Sequence, residues 1–297
     1  MSRVARAVHR IMRSRSIACI LVTLLGTVGA AAADTKVTVS PTTVHGGQPV
    51  LVTVTGTAGE PKGTANGAAL SFFRARTGYQ ALLAVPLDAK PETITVEVQS
   101  AVRPVEIKVT PSTFPETSVV VEEEMANPDK PDRDRIDADN AAIIAAVGKA
   151  GGAPQFTAAF RRPSGEVTST YGEWRTFNDG HRSQHLGLDL FAREASKVAA
   201  INAGTVVLVR ETFLAGNIVV VAHGAGIASA YYHLSKVSVA EGDKVTQGAE
   251  LGLAGHTGRT TGPHLHLTIR IPGGFTDPAG FFKLPLTAAP AAKVTQK

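Results

Sequence analysis

The sequence contains almost no cysteine. Cys19 is the one cysteine in 297 residues, and it lies in an N-terminal stretch that we interpret as a removable leader. Loss of that leader would leave a mature chain without disulfides, thiolate metal ligands or a cysteine nucleophile. Any metal site or catalytic group must therefore be built from other residue types.

Other familiar signatures are absent as well. The sequence has no phosphate-cradling Gly-x-x-x-x-Gly-Lys-Ser/Thr loop and no helical His-Glu-x-x-His zinc motif, and nothing in it favours a serine triad. The net charge of +5 does not indicate nucleic acid, because residues 1–33 carry five arginines and no acid. The remainder is close to neutral, so we expect no nucleic-acid partner.

Residues 1–33 have the features of a signal peptide. Five arginines precede the apolar run that starts at Ile17, and the stretch ends in Ala31-Ala32-Ala33. A basic start, a short apolar core and an Ala-x-Ala site are typical of a secretory leader, which we expect to be cut after Ala33. The alternative is a retained membrane anchor. With cleavage, the protein is exported, periplasmic or secreted, and meets the membrane only through its export signal.

Residues 34–120 read as a small β domain. Six alternating, Val- and Thr-rich segments are separated by glycine and proline turns, with no helical pattern between them. This spacing predicts an immunoglobulin-like sandwich that serves as a spacer or binding module. The predicted strands are 35–40, 50–57, 69–76, 81–86, 93–99 and 105–110.

Residues 121–154 are acidic. Eight acids face three bases up to Asp139, and we expect Pro128 and Pro131 to break any long helix, with a short helix over 138–147. The favoured interpretation is a solvated linker, partly helical. The alternative is a segment that docks on the following domain, since residues 155–297 carry a charge of +4.

Residues 155–284 are again β-rich, with many glycines. Predicted strands run over 204–209, 217–223, 227–233, 250–254 and 264–270, and Gly224-Ala-Gly226 predicts a hairpin turn. Residues 285–297 show no pattern and are predicted to be a disordered tail. The whole chain is thus expected to be all-β.

Histidines concentrate in this second half. Seven of the nine lie between His181 and His266, notably in His185-Leu-Gly-Leu-Asp189, Tyr231-Tyr-His233 and His264-Leu-His266. A catalytic zinc ion takes three His or carboxylate ligands and leaves a fourth position open. Residues two or four apart share a face of a strand. His264 and His266 would therefore point one way, as would His185 and Asp189 if that segment is extended, with Leu186 and Leu188 directed into a core.

Three segments resemble the lysostaphin-type zinc metallopeptidases: residues 183–190, residues 231–235 and the Gly258-Arg-Thr-Thr-Gly-Pro-His-Leu-His-Leu267 element. The similarity extends in consistent order from about residue 167 to residue 282. It implies a two-sheet β metallopeptidase domain with an open groove. It also implies one Zn²⁺ ion held by His185, Asp189 and His266, with His233 and His264 as the catalytic pair.

Three further residues are weaker candidates for substrate binding. Tyr231 would share the face of His233 on a strand, although a packed tyrosine is an equal alternative. Asn217 precedes a strand in a stretch that also matches the family. Arg182 could meet a substrate carboxylate, although a plain surface arginine is the simpler interpretation.

The expected function is hydrolysis of peptide cross-links in bacterial peptidoglycan by a metal-activated water. D-alanyl bonds are the preferred target and glycyl bonds the second. One alternative is a non-catalytic peptidoglycan-binding protein or an activator of a cell-wall amidase, and another is a general secreted protease. The sequence does not indicate an oligomeric state.

Overall fold

The computed structural model describes residues 35–290. The predicted leader, Cys19 and residues 291–297 lie outside this range, so the predictions on them stay predictions. Among the helices of residues 35–290, none has the length and apolar character required to cross a membrane.

Nine short strands build the N-terminal region. They are β1 Lys36–Ser40, β2 Thr43–Val44, β3 Pro49–Thr55, β4 Gly63–Ala65, β5 Ala68–Ala69, β6 Phe73–Arg74, β7 Tyr79–Ala84, β8 Glu92–Val98 and β9 Val105–Val109. One sheet has the order β1-β3-β7-β6 and the other β2-β9-β8-β4-β5. Val50, Val52 and Val54 of β3 enclose the core with Ile94 and Ile107. The predicted strands are present, except that 69–76 is divided into two; the immunoglobulin-like type remains a prediction.

A strand and two helices connect this region to the second half: β10 Glu116–Val119, α1 Glu123–Ala126 and α2 Lys130–Gly148. The prediction that the prolines prevent a long helix is wrong. The Asp129 side chain caps α2 by accepting from the Asp132 N–H, and Pro131 lies in the first turn, where no intrahelical donor is needed.

The interpretation of residues 121–154 as a solvated linker is also wrong. Ile143, Ala146 and Val147 are buried against Val220 and Ala230 of the following domain. Their spacing of three and four residues forms one apolar face along α2. Helix α2 therefore packs on the following domain, largely through apolar side chains.

The second half contains twelve strands and one short helix. They are β11 Val167–Ser169, β12 Trp174–Phe177, β13 Arg182–Gln184, β14 Leu188–Phe191, β15 Lys197–Ala199, β16 Gly204–Thr212, β17 Gly216–Gly224, β18 Ile227–Val237, β19 Lys244–Val245, β20 Glu250–Ala254, β21 His264–Ile271, β22 Gly274–Thr276 and α3 Pro278–Phe281. The main sheet has the order β11-β14-β21-β18-β17-β16-β19, with β15, β20 and β22 paired off this path. A second sheet, β10-β12-β13, lies beside it. The all-β, two-sheet prediction is confirmed.

The two β regions share one apolar cluster. Leu51 and Leu82 of the N-terminal sandwich are buried together with Phe156, Phe281 and Leu286. The tail prediction is wrong for residues 285–290, because Leu286 and Ala288 are buried. There the Thr287 N–H donates to the side chain of Gln80 and the Ala289 N–H to the carbonyl of Arg74. Residues 285–290 therefore form part of the contact between the two regions.

Candidate metal centre

Strand pairing brings two of the predicted ligands together. In the antiparallel pair β14 and β21, Asp189 lies directly opposite His266. On the other side of β21, Tyr232 of β18 is the partner of His266. Asp189 and His266 are thus positioned by the central strands of the main sheet.

His185 reaches the same point from outside that pairing. It lies between β13 and β14, and its backbone N–H donates to the carbonyl of Glu173. Its Nε2 is 3.0 Å from Asp189 Oδ1 and 2.8 Å from His266 Nδ1, and His266 Nδ1 is 2.7 Å from the same oxygen. The three predicted ligands therefore converge, as a group that could hold a metal ion.

The donor chemistry of the cluster fits a cation. His185 Nδ1 lies 2.8 Å from the carbonyl of Thr170, so it donates a proton there and leaves Nε2 as the ring nitrogen available to accept. That nitrogen faces Asp189 Oδ1, also an acceptor. Two acceptors at hydrogen-bond distance need a positive charge between them, either a proton or a metal ion. Two imidazoles and a carboxylate also form a ligand set used by catalytic zinc.

Arg175 contacts the second oxygen of the carboxylate. Its Nη2 donates to Asp189 Oδ2 at 2.6 Å and to Ser169 Oγ at 2.9 Å. Burial opposes ionisation of Asp189, but the charge and hydrogen bonds of His266 and His185 hold the pKa of this carboxyl well below its usual range. Asp189 is therefore an anion that presents Oδ1 to the cluster.

His233 lies beside the three ligands in an unusual backbone conformation. Its φ of 61° is left-handed, which is uncommon for a residue with a Cβ and is concentrated at functional sites. Its backbone N–H donates to the carbonyl of Ala215 and its Nδ1 to the carbonyl of Thr257. Burial, with the nearby His266 and His264, lowers the pKa of His233 to about 3, so its Nε2 is a neutral acceptor.

His264 completes the group. Its Nδ1 lies 2.9 Å from the carbonyl of Gly262 and 3.2 Å from Thr260 Oγ1. Its Nε2 is 3.7 Å from Asp189 Oδ1, and its ring centroid is 4.8 Å from that of His233. Both predicted catalytic histidines therefore lie next to the predicted ligands, each with Nδ1 fixed by a backbone carbonyl.

These side chains line an open groove of about 810 Å³. One wall is formed by the segment that precedes the second half, from Thr117 to Val121, together with Asn140 of α2. Leu214, Arg259 and Phe191 also line it. The strand and helix that connect the two regions thus shape the site.

The three weak candidates for substrate binding do not line the groove. Tyr231 is fully buried, with its hydroxyl near Ser229 Oγ and accepting from the Ile201 N–H. The left-handed turn at His233 breaks strand alternation, and the neighbouring Tyr232 lines the groove instead.

Asn217 and Arg182 have structural contacts. The Asn217 amide donates to the carbonyl of Leu234, and Arg182 lies over the Trp174 ring and donates to Glu116. Leu186, predicted in the core, is 41% exposed, because residues 185–187 are a connection and not a strand.

The sequence reading missed two arginines of the groove, Arg175 and Arg259. Arg259 belongs to the Gly258–Leu267 element, but no local pattern indicates a role for it or for Arg175. Arg175 reaches Asp189 across fourteen residues, from the second sheet to the main one. No spacing rule relates those two positions, and the sequence predicts no strand over residues 174–177.

The two-sheet β domain holds a His-Asp-His cluster that could bind a metal ion, and comparison with known proteins shows which family this part of the chain resembles. The sequence profile of Peptidase family M23 matches residues 183–278. This range includes all three candidate ligands and both further histidines. Residues 183–278 are therefore similar to peptidase family M23, the lysostaphin-type peptidases.

Curated relatives match part of the chain. Peptidoglycan DD-endopeptidase ShyA of Vibrio cholerae is 43% identical over 89 residues, which are 30% of this chain and 21% of that protein. DD-carboxypeptidase/endopeptidase Mpg of Neisseria meningitidis is 37% identical over 112 residues, 38% of this chain and 24% of that protein. The matched segments span about a fifth to a quarter of the length of these relatives.

A solved structure is similar over more of the chain. The crystal structure of a Pseudomonas aeruginosa protein assigned to peptidase M23 is 28% identical, covers 76% of this chain and 88% of its own, and has a TM-score of 0.57. The similarity therefore extends beyond the matched family domain.

Proposed function

We propose that this protein is a zinc-dependent endopeptidase that hydrolyses peptide cross-links of bacterial peptidoglycan. The observation that carries the proposal is the convergence of His185, Asp189 and His266 within 3.0 Å of one another in an open groove. Two imidazoles and one carboxylate are a ligand set of catalytic zinc, which keeps its fourth position for water or substrate.

These three side chains would hold one Zn²⁺ ion. When bound, the ion would act as a Lewis acid and lower the pKa of water, so that hydroxide is available to attack a peptide carbonyl near neutral pH. Arg175 keeps Asp189 Oδ2 occupied, which leaves Oδ1 as the atom that faces the two imidazoles. The Thr170 carbonyl fixes the His185 ring in the matching tautomer.

His233 and His264 would move the protons of the reaction. Each holds its Nδ1 on a backbone carbonyl, so each can present Nε2 to the groove. The lowered pKa of His233, about 3, keeps its ring neutral and able to accept a hydrogen bond from water. One ring then orients the attacking water, and the other stabilises the oxyanion or protonates the leaving amine.

Peptidoglycan is the proposed substrate because of the relatives. Both curated relatives carry names of enzymes that cleave DD bonds, one of them explicitly in peptidoglycan. A D-alanyl cross-link is therefore the first target to test and a glycyl bridge the second. We further propose that residues 1–33 export the protein to the periplasm or beyond, where such a substrate lies.

A non-catalytic wall-binding protein or amidase activator is the alternative class. The complete ligand set and both neighbouring histidines argue against it, since a pure binding protein needs neither. A general secreted protease is the third possibility. Incubation with purified wall and with casein separates these classes by which polymer is cut.

The decisive experiment replaces one ligand. His266→Ala should lose more than about 100-fold of muropeptide cleavage, because an inner ligand matters at least as much as the outer-shell contacts that orient it. Mass spectrometry of digested muropeptides measures the cleavage, and zinc content and thermal unfolding are measured on the same samples. His256→Ala, an exposed position outside the groove, is the matched control. Unchanged cleavage by folded His266→Ala protein would remove zinc from the mechanism.

A further inference from the structure

Two arginines line the groove, and they differ in their partners. Arg175 donates to Asp189 at 2.6 Å, and its Nε lies 3.6 Å from Glu173 Oε1. Asp189 and Glu173 are the two acidic residues that line the groove. Arg175 forms an ion pair with each of them. No acid of the lining is left to neutralise Arg259.

Arg259 makes no salt bridge within 4.0 Å to any carboxylate of residues 35–290. Its guanidinium lies over the ring of Phe177, 4.2 Å from the centroid, and its backbone N–H is held by the carbonyl of Leu214. Partial burial and the nearby Arg175 lower the pKa of Arg259, while the more distant Asp179 opposes this. A cation that is partly desolvated and unneutralised stabilises an anion that enters the groove.

Arg259 is close to the reacting groups along the chain. The next residue, Thr260, places its hydroxyl 3.2 Å from Nδ1 of His264. Because Arg259 also lines the groove that holds His233 and His264, an anion bound to it would share that groove with the catalytic histidines. The stacked guanidinium is restricted in orientation by Phe177 and matches the planar, bidentate geometry of a carboxylate.

We propose that Arg259 binds a free carboxylate of the stem peptide next to the scissile bond. The enzyme would therefore be selective for anionic peptide cross-links over neutral ones such as glycine bridges. This inference rests on the proposed function and names the substrate class within it. A bound divalent ion would add to the positive charge of the groove and favour the same class of substrate.

The test compares two synthetic cross-linked stem peptides that differ only in their free carboxylates, which are amidated in one of them. The zinc-loaded wild type should cleave the carboxylate form with a kcat/KM about 10-fold higher or more. Arg259→Gln should reduce that preference to within about twofold, mainly through a higher KM for the anionic peptide. Arg259→Lys should retain part of it, because the charge remains and the fork is lost.

Arg161→Gln is the matched control, since Arg161 is exposed and outside the groove lining. It should keep the full preference. Zinc content and melting temperature, measured for every variant, show that the fold and the metal centre are intact.

Two results overturn the inference while the proposed function stands. One is equal cleavage of both peptides by the wild type. The other is an Arg259→Gln variant that loses activity on both peptides to the same degree. If the zinc-loaded wild type cleaves neither these peptides nor purified wall, the proposed function itself is wrong, and this inference with it.

Discussion

Gly187 lies under the ring of His266, between the candidate ligands His185 and Asp189. A Cβ at this position would come within 2.5 Å of His266 Cε1 and 2.7 Å of Nε2, and within 2.8 Å of the carbonyl oxygen of Leu267. Its backbone is not in the left-handed region, so the requirement for glycine comes from space alone. The absent side chain is therefore part of how the His266 ring is positioned.

We predict that Gly187→Ala weakens zinc binding about 10-fold or more, as expected when a ligand ring is displaced. Competition with a chelating dye measures the dissociation constant. Gly59→Ala, where an added Cβ meets nothing within 4 Å, should bind zinc like the wild type. If Gly187→Ala binds zinc with the affinity of the wild type, the His266 ring can shift without weakening the site, and the prediction is wrong.

At this scale the sequence predicted the residues that belong to local motifs. His185, Asp189, His233, His264 and His266 were all named, and the structure brings them together. For Tyr231, the packed alternative is the one observed; strand alternation does not extend through His233, which has a φ of 61°. The contact between Arg175 and Asp189 depends on how two sheets meet, and no local pattern encodes that.

At the scale of elements, α2 is held on the main sheet by one buried carboxylate as well as by its apolar face. Asp139 accepts from Arg210 Nε at 2.8 Å and from the Phe213 N–H at 2.9 Å, and it is 4% exposed. Both contacts cross from the helix to the sheet. The same helix contributes Asn140 to the groove wall, so the docking of α2 and the shape of the site are linked.

Asp139→Ala should lower the free energy of unfolding by about 1 to 3 kcal/mol, because it leaves a backbone donor and a guanidinium without their partner. Chemical denaturation monitored by circular dichroism measures the change. Asp137→Ala, an exposed acid on the same helix, should change it by less than about 0.5 kcal/mol. Equal effects of the two substitutions would mean that Asp139 has no special role in docking.

The long alternating strands were predicted well. Residues 250–254 match β20, and the hairpin at Gly224-Ala225-Gly226 connects β17 to β18. Strands of two to four residues, such as β13 and β19, were missed, because so few residues show no periodicity. Helix α2 was misread since its apolar residues are mostly alanine and its proline lies in the first turn.

At the scale of the whole molecule, a buried histidine links folding to pH. His223 is fully buried, donates from Nδ1 to the Ala203 carbonyl and has its Nε2 2.8 Å from Ser229 Oγ. Burial lowers the pKa of His223 to about 4, against 6.5 for an exposed ring. The unfolded chain therefore binds a proton that the folded protein does not. Stability from this group is complete above about pH 6.5 and is lost as the pH falls through about 4.

Between pH 7 and pH 4.5, His223 should account for about 2 to 3 kcal/mol of lost unfolding free energy. In His223→Gln the decline over this range should be smaller by that amount, although the variant is less stable at neutral pH. Urea denaturation at a series of pH values measures it. His256→Gln, at an exposed site, should keep the wild-type slope. A wild-type slope in His223→Gln would show that other groups control the acid sensitivity.

The sequence divides the chain into two β regions, a linker and a tail, although α2 of the linker packs on the main sheet and Leu286 of the tail is buried. What it did not predict is how these regions bury one another. Leu51 and Leu82 look like ordinary strand residues, and Leu286 lies in a stretch with no periodicity. Their burial depends on the meeting of segments more than 200 residues apart, which a local pattern does not record.

That shared burial has a practical consequence for expressing the family-matched segment on its own. Excising the family-matched segment, residues 183–278, would strip the main sheet of Phe156, Phe281 and the helix that packs on it. The excised segment would expose apolar surface that is buried in the whole protein, and it would tend to aggregate. A fusion protein that carries this site should therefore include residues 35–290, so that these buried contacts are kept.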